Sequence, residues 1–339
     1  MQRIKILMRM LRNRFLSGDA TLRSDHRPWL DRAVFVLNFF PPYNWTCSLW
    51  ALFCGRCVPN STSAAIISWA LMKRDFLFGA LRHLSPEDRT AFASAVVLPR
   101  ARKNHRPPLI SEEARALATE IGRTGFANLG QQISREEARS AVGYFSQQSG
   151  YCSQTPLQSD GRRQQFDVAA LKDQSADRYF CFSSKTSLMC PQVKAIIDNP
   201  MLREVAAGYL GFMPELFNVN TIATVSGESE HYVMRLHRDF DAFASITFFV
   251  YWTDVSANNG ATLFVPGSHL SSKVDTSHLV PLSGGAGEIF GIDPFGLHAG
   301  NRSVDGLRLA TWFRYGLKPN LATIQDPDLV PDSGVLVGA

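Results

Sequence analysis

Apolar and polar residues alternate most clearly near the end of this chain of 339 residues, in the segment GLRLATWFRYG. A period of two, with β-branched and aromatic members, is typical of a strand that has one buried face. The pattern predicts strands from residue 212 to about residue 318, after a helix that begins at Asn199-Pro200 and ends at Gly211. Earlier in the chain, GFANLGQQ predicts a short strand and a turn.

Helix-start signals precede the strands. A serine followed by proline or acidic residues marks the first turn of a helix, because its side chain caps a free backbone N–H group and the acids suit the helix dipole. Such signals occur at Ser85-Pro86, at Ser111-Glu112, and at Ser134 to Glu137, which is a capping box. Gly122 or Gly125 is expected to end the second of these helices. The polar stretch 150–176 predicts a loop.

The first hundred residues have a different character. Residues 1–16 carry apolar side chains at helical spacing with arginines between them, which predicts an amphipathic helix, either on a membrane surface or packed on its own protein. Residues 29–80 are rich in aromatic and apolar residues, but no run reaches the roughly twenty residues that a spanning helix needs. They predict a small helical subdomain, with an apolar contact surface for a lipid, a carrier or a protein as the alternative. The proline-bearing stretch 99–108 predicts a linker.

Charge and cysteine content narrow the classes of function. The net charge of +5, from 35 basic and 30 acidic residues, is too small to predict a nucleic-acid partner. Five basic residues between Arg3 and Arg14 equal this whole excess. Six scattered cysteines form no disulfide framework, and the lone pair Cys54 and Cys57 is weak evidence for a redox or zinc site. Free thiols favour a cytoplasmic protein, with membrane association through the N-terminal region as the alternative.

The candidate chemistry lies between residues 231 and 316. His237-Arg238-Asp239, His298 and Arg308 have the order and rough spacing of a two-histidine, one-carboxylate set for non-haem Fe(II), followed by an anchor for a dicarboxylate. In a strand, positions i and i+2 point the same way, so His237 and Asp239 can reach one point. His298 follows the apolar segment GEIFGI, which predicts a short strand that brings the third ligand. The guanidinium of Arg308 suits the distal carboxylate of a 2-oxo acid. The plainer alternatives are a surface turn, a buried hydrogen-bonded histidine and a surface charge.

These residues carry a resemblance to a known family. HRD at 237–239, FFVYWTDVSANNGATLFVPGSH ending at His269, and GEIFGIDPFGLHAGNRS leading to Arg308 resemble the phytanoyl-CoA dioxygenase family of Fe(II)/2-oxoglutarate oxygenases. The resemblance covers roughly residues 110–318. It implies iron on His237, Asp239 and His298, and 2-oxoglutarate on Arg308. Two polar residues one strand earlier, Asn220 and Thr224, are implied as further cosubstrate contacts, and His269 is implied to close a turn.

The resemblance also implies the kind of oxidation. Relatives that halogenate have a small residue in place of the carboxylate, so the presence of Asp239 favours hydroxylation or a related oxidation. The implied reaction uses O2 and releases succinate and CO2, and it acts on an unactivated C–H bond of a small-molecule, lipid-like or carrier-bound substrate. Two alternatives stay open. One is a non-catalytic jelly-roll binding or membrane-associated module, and the other is a cupin-type isomerase or hydrolase.

The predicted fold is of the mixed α+β class with a mainly β core. The resemblance implies that its centre is a double-stranded β-helix, a cupin-like jelly roll, and flanking helices and an N-terminal helical extension are predicted around it. Residues 1–105 are predicted to form that extension, residues 106–320 the oxygenase domain, and residues 321–339 a C-terminal tail.

Overall fold

The computed structural model describes residues 85–94, 98, 109–152, 165–167, 179–225, 232–239, 242, 244–301 and 307–316. The helices predicted within residues 1–80, the linker at 99–108 and the tail at 321–339 therefore lie outside the described residues. In the described part of the chain, no helix has the length and apolar character needed to cross a membrane.

Six α-helices lie in the described part of the chain. They are α1 Pro86–Phe92, α2 Glu112–Thr124, α3 Arg135–Ser146, α4 Ser184–Met189, α5 Pro191–Asp198 and α6 Pro200–Leu210. The predicted signals begin three of these helices with a side-chain cap: Ser111 caps α2, the capping box at Ser134 caps α3, and Asn199 caps α6. Gly122 and Gly125 are the two glycines predicted to end α2. Gly125 ends it, because of the two only Gly125, with φ of 95°, takes the left-handed conformation.

Eleven strands form two antiparallel sheets in the described part of the chain. They are β1 Phe126–Gln131, β2 Ser149–Cys152, β3 Gln165–Asp167, β4 Tyr179–Phe182, β5 Glu215–Val225, β6 Ser245–Tyr251, β7 Thr262–Phe264, β8 Val280–Leu282, β9 Glu288–Ile292, β10 His298–Gly300 and β11 Leu307–Gly316. The larger sheet has the order β1-β9-β6-β11-β5-β4-β2-β3, and the smaller has the order β10-β7-β8. Every pair of neighbouring strands in the described part of both sheets is antiparallel.

Strand β11 shows how the alternation seen in the sequence builds the two layers. Leu309, Phe313 and Tyr315 belong to the core that includes buried residues of the helices. Ala310 and Trp312, on the opposite face, belong to a second core shared with β7 and β8 of the smaller sheet. The larger sheet is therefore covered by helices on one face and by the smaller sheet on the other, and the predicted jelly roll is confirmed. Even-numbered side chains of β11 face the space between the sheets.

The prediction of a loop over residues 150–176 is wrong at two places. Residues 149–152 form β2 and residues 165–167 form β3, and both extend the larger sheet beyond β4. Each strand is three or four residues long and carries few apolar side chains, so the pairing of backbones selects it rather than a hydrophobic pattern. Helices α4 and α5 are also absent from the sequence prediction.

Candidate metal centre

Three side chains from two distant segments meet between the sheets. His237 and Asp239 lie in an extended segment after the 3₁₀ turn Tyr232–Met234, and His298 begins β10. This segment lies antiparallel to β10: His237 N donates to His298 O at 2.9 Å, and His298 N donates to His237 O at 3.0 Å. The ligand atoms of the three side chains lie within 4.8 Å of one another. The backbone pairing thus brings together the residues that the sequence singles out.

Backbone carbonyls orient both imidazole rings. His237 Nδ1 lies 2.8 Å from Arg235 O, and His298 Nδ1 lies 2.9 Å from Gly296 O. A carbonyl only accepts hydrogen bonds, so in the neutral form of either ring Nδ1 carries the proton and Nε2 presents its lone pair. Burial and the neighbouring His237 lower the pKa of His298 to about 4, so this ring is neutral near pH 7. A neutral imidazole with a free Nε2 is the form that binds a metal ion.

Asp239 lies between the two histidines. Its Oδ1 is 3.7 Å from His237 Nε2, its Oδ2 is 3.8 Å from His298 Nε2, and its side chain is 8% exposed. Burial opposes ionisation, but His298 and Arg314 outweigh it and hold the pKa of this carboxyl below its usual value. Oδ1 is buried and has no hydrogen-bond partner among the described residues. A buried carboxylate oxygen that needs a partner, beside two imidazole lone pairs, fits the donor set of a non-haem Fe(II) centre.

Sequence reasoning misses an arginine that contacts this carboxylate. Arg314, which is 4% exposed, donates from Nη2 to Asp239 Oδ2 at 3.4 Å and from Nη1 to Asn218 Oδ1 at 2.9 Å. A signal for it was present, because Arg314 follows Arg308 by six positions in a predicted strand, and an even spacing puts both side chains on one face. Asn218 lies directly across from Arg314 on β5.

Arg308 lies on the same face of β11 and is 6% exposed. Its Nη2 donates to Thr262 Oγ1 at 3.3 Å, and its guanidinium lies over the rings of Tyr251 and Trp312, 5.4 and 5.6 Å from their centroids. Its Nε has no hydrogen-bond partner among the described residues. A buried cation with one hydroxyl acceptor and two aromatic faces is suited to receive an anion.

Asn220 and Thr224 face the same space from β5. Thr224 lies opposite Arg308 in the pairing of β5 with β11, and Asn220 lies opposite Trp312. Thr262, the hydroxyl partner of Arg308, lies two residues from Phe264, which pairs with His298. Residues two apart on a strand are separated by about 7 Å. The structure therefore brings these predicted cosubstrate contacts to the side of the sheet that carries the histidine pair.

The predicted turn at His269 lies outside the ligand set. His269 is fully buried, and its Nε2 lies 3.2 Å from Gly122 O on helix α2. The preceding Ser268 donates from Oγ to Val265 O at 2.6 Å and accepts from Leu297 N at 2.7 Å. The turn therefore supports the backbone that leads to His298.

The family described as phytanoyl-CoA dioxygenase (PhyH) matches residues 112–302, which is more than half of the chain. The chain belongs to this family. It is a 2-oxoglutarate-dependent non-haem iron enzyme, and its buried His-Asp-His cluster fits the iron-binding facial triad of that class. The match begins at α2 and includes the three clustered residues, whereas Arg308 and Arg314 lie just beyond its end. No curated protein matches the chain.

Several solved structures resemble the chain at low sequence identity. The 2-oxoglutarate-dependent epimerase SnoN from nogalamycin biosynthesis is 18% identical, with a TM-score of 0.44, over 65% of this chain and 90% of its own. The carbocyclase SnoK from the same biosynthesis is 14% identical, with a TM-score of 0.43, over 62% and 88%. HygX from Streptomyces hygroscopicus, bound to nickel and 2-oxoglutarate, is 13% identical, with a TM-score of 0.43, over 62% and 88%. The assignment to the family does not rest on them.

Proposed function

We propose that this protein hydroxylates, or otherwise oxidises, an unactivated C–H bond of a small-molecule or lipid-like substrate, using Fe(II), 2-oxoglutarate and O2. The observation that carries the proposal is the buried position of Asp239 between His237 and His298, with one oxygen facing each Nε2 atom at 3.7 and 3.8 Å. A carboxylate at this position favours hydroxylation over halogenation, since a halide needs the place that the carboxylate fills.

His237, Asp239 and His298 would hold the iron, and a set of three protein ligands would leave it able to bind smaller molecules. Arg308 pairs with the distal carboxylate of 2-oxoglutarate, with Asn220 and Thr224 beside it. When bound, iron and cosubstrate supply the oxidising chemistry, in which O2 and 2-oxoglutarate give succinate and CO2 and one oxygen atom enters the substrate.

The residues of the chain contribute orientation, charge and exclusion of water. The carbonyls of Arg235 and Gly296 fix the two imidazole rings. Arg314 keeps Asp239 ionised and turned toward them. The aromatic side chains between the sheets, among them the buried Phe264, which stacks on His298 with a ring separation of 6.4 Å, keep bulk water away from the centre.

The substrate class is proposed on the composition of the chain. The apolar and aromatic residues between 29 and 80 favour a lipid-like or carrier-bound molecule and a peripheral contact with a membrane or a protein. The buried free thiol of Cys190 favours a reducing compartment. Neither charge nor motif favours a nucleic acid.

The test measures succinate formed from 2-oxoglutarate by the full chain, with Fe(II), O2 and a fractionated extract of small molecules and lipids. We expect one fraction to raise succinate formation well above the rate without substrate, and its active compound to gain the mass of one oxygen atom. The reaction should stop without O2. Turnover that continues under anaerobic conditions would replace the proposal with a cupin-type isomerase or hydrolase.

A pair of acid-to-alanine variants controls this experiment. Asp239→Ala should abolish both succinate formation and the mass change, whereas Asp275→Ala, in the exposed loop before β8, should change neither. Full activity of Asp239→Ala would remove the triad from its assigned role. A product that gains no oxygen and has lost the mass of two hydrogen atoms would assign desaturation in place of hydroxylation.

A further inference from the structure

The loop of residues 293–297, here called the ligand loop, contacts both arms of the candidate metal centre. Gly296 O accepts from His298 Nδ1 at 2.9 Å, and so orients that ring. Pro294 O accepts from Asp239 N at 2.8 Å. Phe295 O accepts from Arg238, the residue between the other two ligands. Three successive carbonyls of the ligand loop therefore fix the relative position of the two segments that supply the triad.

Asp293 holds the ligand loop in this shape. Its Oδ1 accepts from Phe295 N at 2.8 Å, and its carbonyl accepts from Gly296 N at 2.9 Å, which closes a tight turn. The side chain of Asp293 is 1% exposed, so its charge needs a partner inside the protein. Tyr209 on α6 supplies one hydrogen bond, from Oη to Oδ2 at 2.6 Å.

The cation that pairs with Asp293 belongs to a residue outside the segment of the chain that matches the family. Arg89 on α1 donates from Nη1 to Oδ1 at 3.2 Å and from Nη2 to Oδ2 at 2.7 Å, with its own side chain 8% exposed. Its guanidinium also lies over the ring of Phe295, 4.6 Å from the centroid. Residue 89 precedes the matched range of 112–302 by more than twenty positions.

A second contact fixes α1 beside the ligand loop. Glu87 accepts from Ser272 N at 2.7 Å, from Ser272 Oγ at 3.0 Å and from Ser271 Oγ at 3.2 Å. Ser271 and Ser272 follow the turn at Ser268, which itself holds Leu297 N. Helix α1 is thus attached both to the ligand loop and to the turn that supports it. Its backbone is placed to hold Arg89 in a bidentate geometry that a flexible chain would not keep.

We infer that Arg89 is a positioning residue for the iron centre, and that α1 completes the oxygenase site from outside the segment shared with the family. This inference rests on the proposed function, because it takes His237, Asp239 and His298 as the metal ligands. Arg89 acts through Asp293, which shapes the ligand loop, and the ligand loop orients His298 and Asp239. Replacing a residue that orients a metal ligand without binding the metal itself typically lowers metal affinity or activity by roughly 10- to 100-fold.

The experiment compares Fe(II) affinity, titrated without O2 on the full chain, for Arg89→Met, Arg89→Lys and the unchanged protein. We expect Arg89→Met to weaken Fe(II) binding by about 10- to 100-fold, and Arg89→Lys to restore only part of the loss, because an ammonium keeps the charge and loses the fork. Arg123→Met is the matched control: Arg123 pairs with Glu120 on the surface of α2, with its side chain 71% exposed, and its loss should leave Fe(II) affinity unchanged.

A milder variant covers the case in which Arg89→Met fails to fold. Tyr209→Phe removes one hydrogen bond to Asp293 and leaves Arg89 in place, so a folded protein with weaker Fe(II) binding is expected. Wild-type Fe(II) affinity in folded Arg89→Met or Tyr209→Phe would overturn the inference. Asp239→Ala separates this from a failure of the proposed function, since an Fe(II) affinity in Asp239→Ala equal to that of the unchanged protein would reject Asp239 as a ligand.

Discussion

Replacing Arg308 by leucine tests how the protein holds its cosubstrate. Arg308 is buried between the sheets, and its only hydrogen-bond acceptor among the described residues is Thr262. Its removal takes away the cation that we assign to the distal carboxylate of 2-oxoglutarate while leaving the ligands of the iron intact. The folded protein without cosubstrate should lose little stability, because the substitution replaces a buried charge with an apolar side chain.

The magnitude follows from the kind of contact that is lost. Removing one partner of a buried, hydrogen-bonded charge pair costs about 2 to 5 kcal/mol of binding free energy. Each 1.4 kcal/mol changes an equilibrium constant tenfold, so Arg308→Leu should weaken 2-oxoglutarate binding by roughly 30-fold to several thousand-fold. The 2-oxoglutarate affinity of Arg308→Lys should lie between those of Arg308→Leu and the unchanged protein, because lysine keeps the charge without the two parallel hydrogen bonds.

The assay is a titration of 2-oxoglutarate into the Fe(II)-loaded protein without O2, with Fe(II) affinity measured separately. The expected result is weak cosubstrate binding with Fe(II) affinity close to that of the unchanged protein. Equal 2-oxoglutarate affinity in Arg308→Leu would refute the reasoning. A loss of Fe(II) instead would mean that Arg308 acts on the metal site.

Three further variants probe other parts of the site. Gly260→Ala should raise the KM for 2-oxoglutarate, because Gly260 has φ of 78° and an added Cβ would lie 2.8 Å from Arg308 Cδ. Arg314→Leu should weaken Fe(II) binding rather than 2-oxoglutarate binding, since it removes the cation beside Asp239. Burial lowers the pKa of His269, so the folded protein resists protonation of this ring. The contribution of His269 to stability is therefore full above about pH 6.5 and falls below that value, by at most about 1.4 kcal/mol per pH unit. His269→Gln should flatten this part of the plot of unfolding free energy against pH.

Two of these variants have a matched control in the same chain. Gly143→Ala, in α3, adds a Cβ with no atom within 4 Å and should leave the KM unchanged. His278→Gln removes a histidine from the exposed loop before β8 and is the matched control for His269→Gln. An unchanged KM in Gly260→Ala, an unchanged Fe(II) affinity in Arg314→Leu, or an unchanged slope in His269→Gln would each contradict the role given to that residue.

The sequence predicted most of the elements that carry strong local signals. Caps at Ser111, Ser134 and Asn199 satisfy backbone groups within the same few residues, so they can be read without knowing the rest of the chain. The short strands β2 and β3 could not be read in this way, because neighbouring backbones decide them. The family resemblance, rather than periodicity alone, supplied the arrangement of the sheets.

The same distinction between local signals and distant contacts applies to the candidate site. His237, Asp239 and His298 have residue types and spacing that indicate a metal, and the structure brings them together. Asn218 and Arg89 have no such signal, since each acts through a partner 96 or 204 positions away in sequence. Contacts of that kind come from the packing of distant segments, and one sequence does not record which residues will meet.

The two arginines of β11 constrain the number of residues that can separate them in the strand. Arg308 and Arg314 are six positions apart on a strand held on both sides by β5 and β6, a separation of roughly 20 Å. Losing or gaining one residue between them would send one guanidinium into the helical layer, because neighbouring side chains point to opposite faces. The strand thus sets a fixed distance between Arg314, which contacts the carboxylate of Asp239, and Arg308, to which we assign the carboxylate of the cosubstrate.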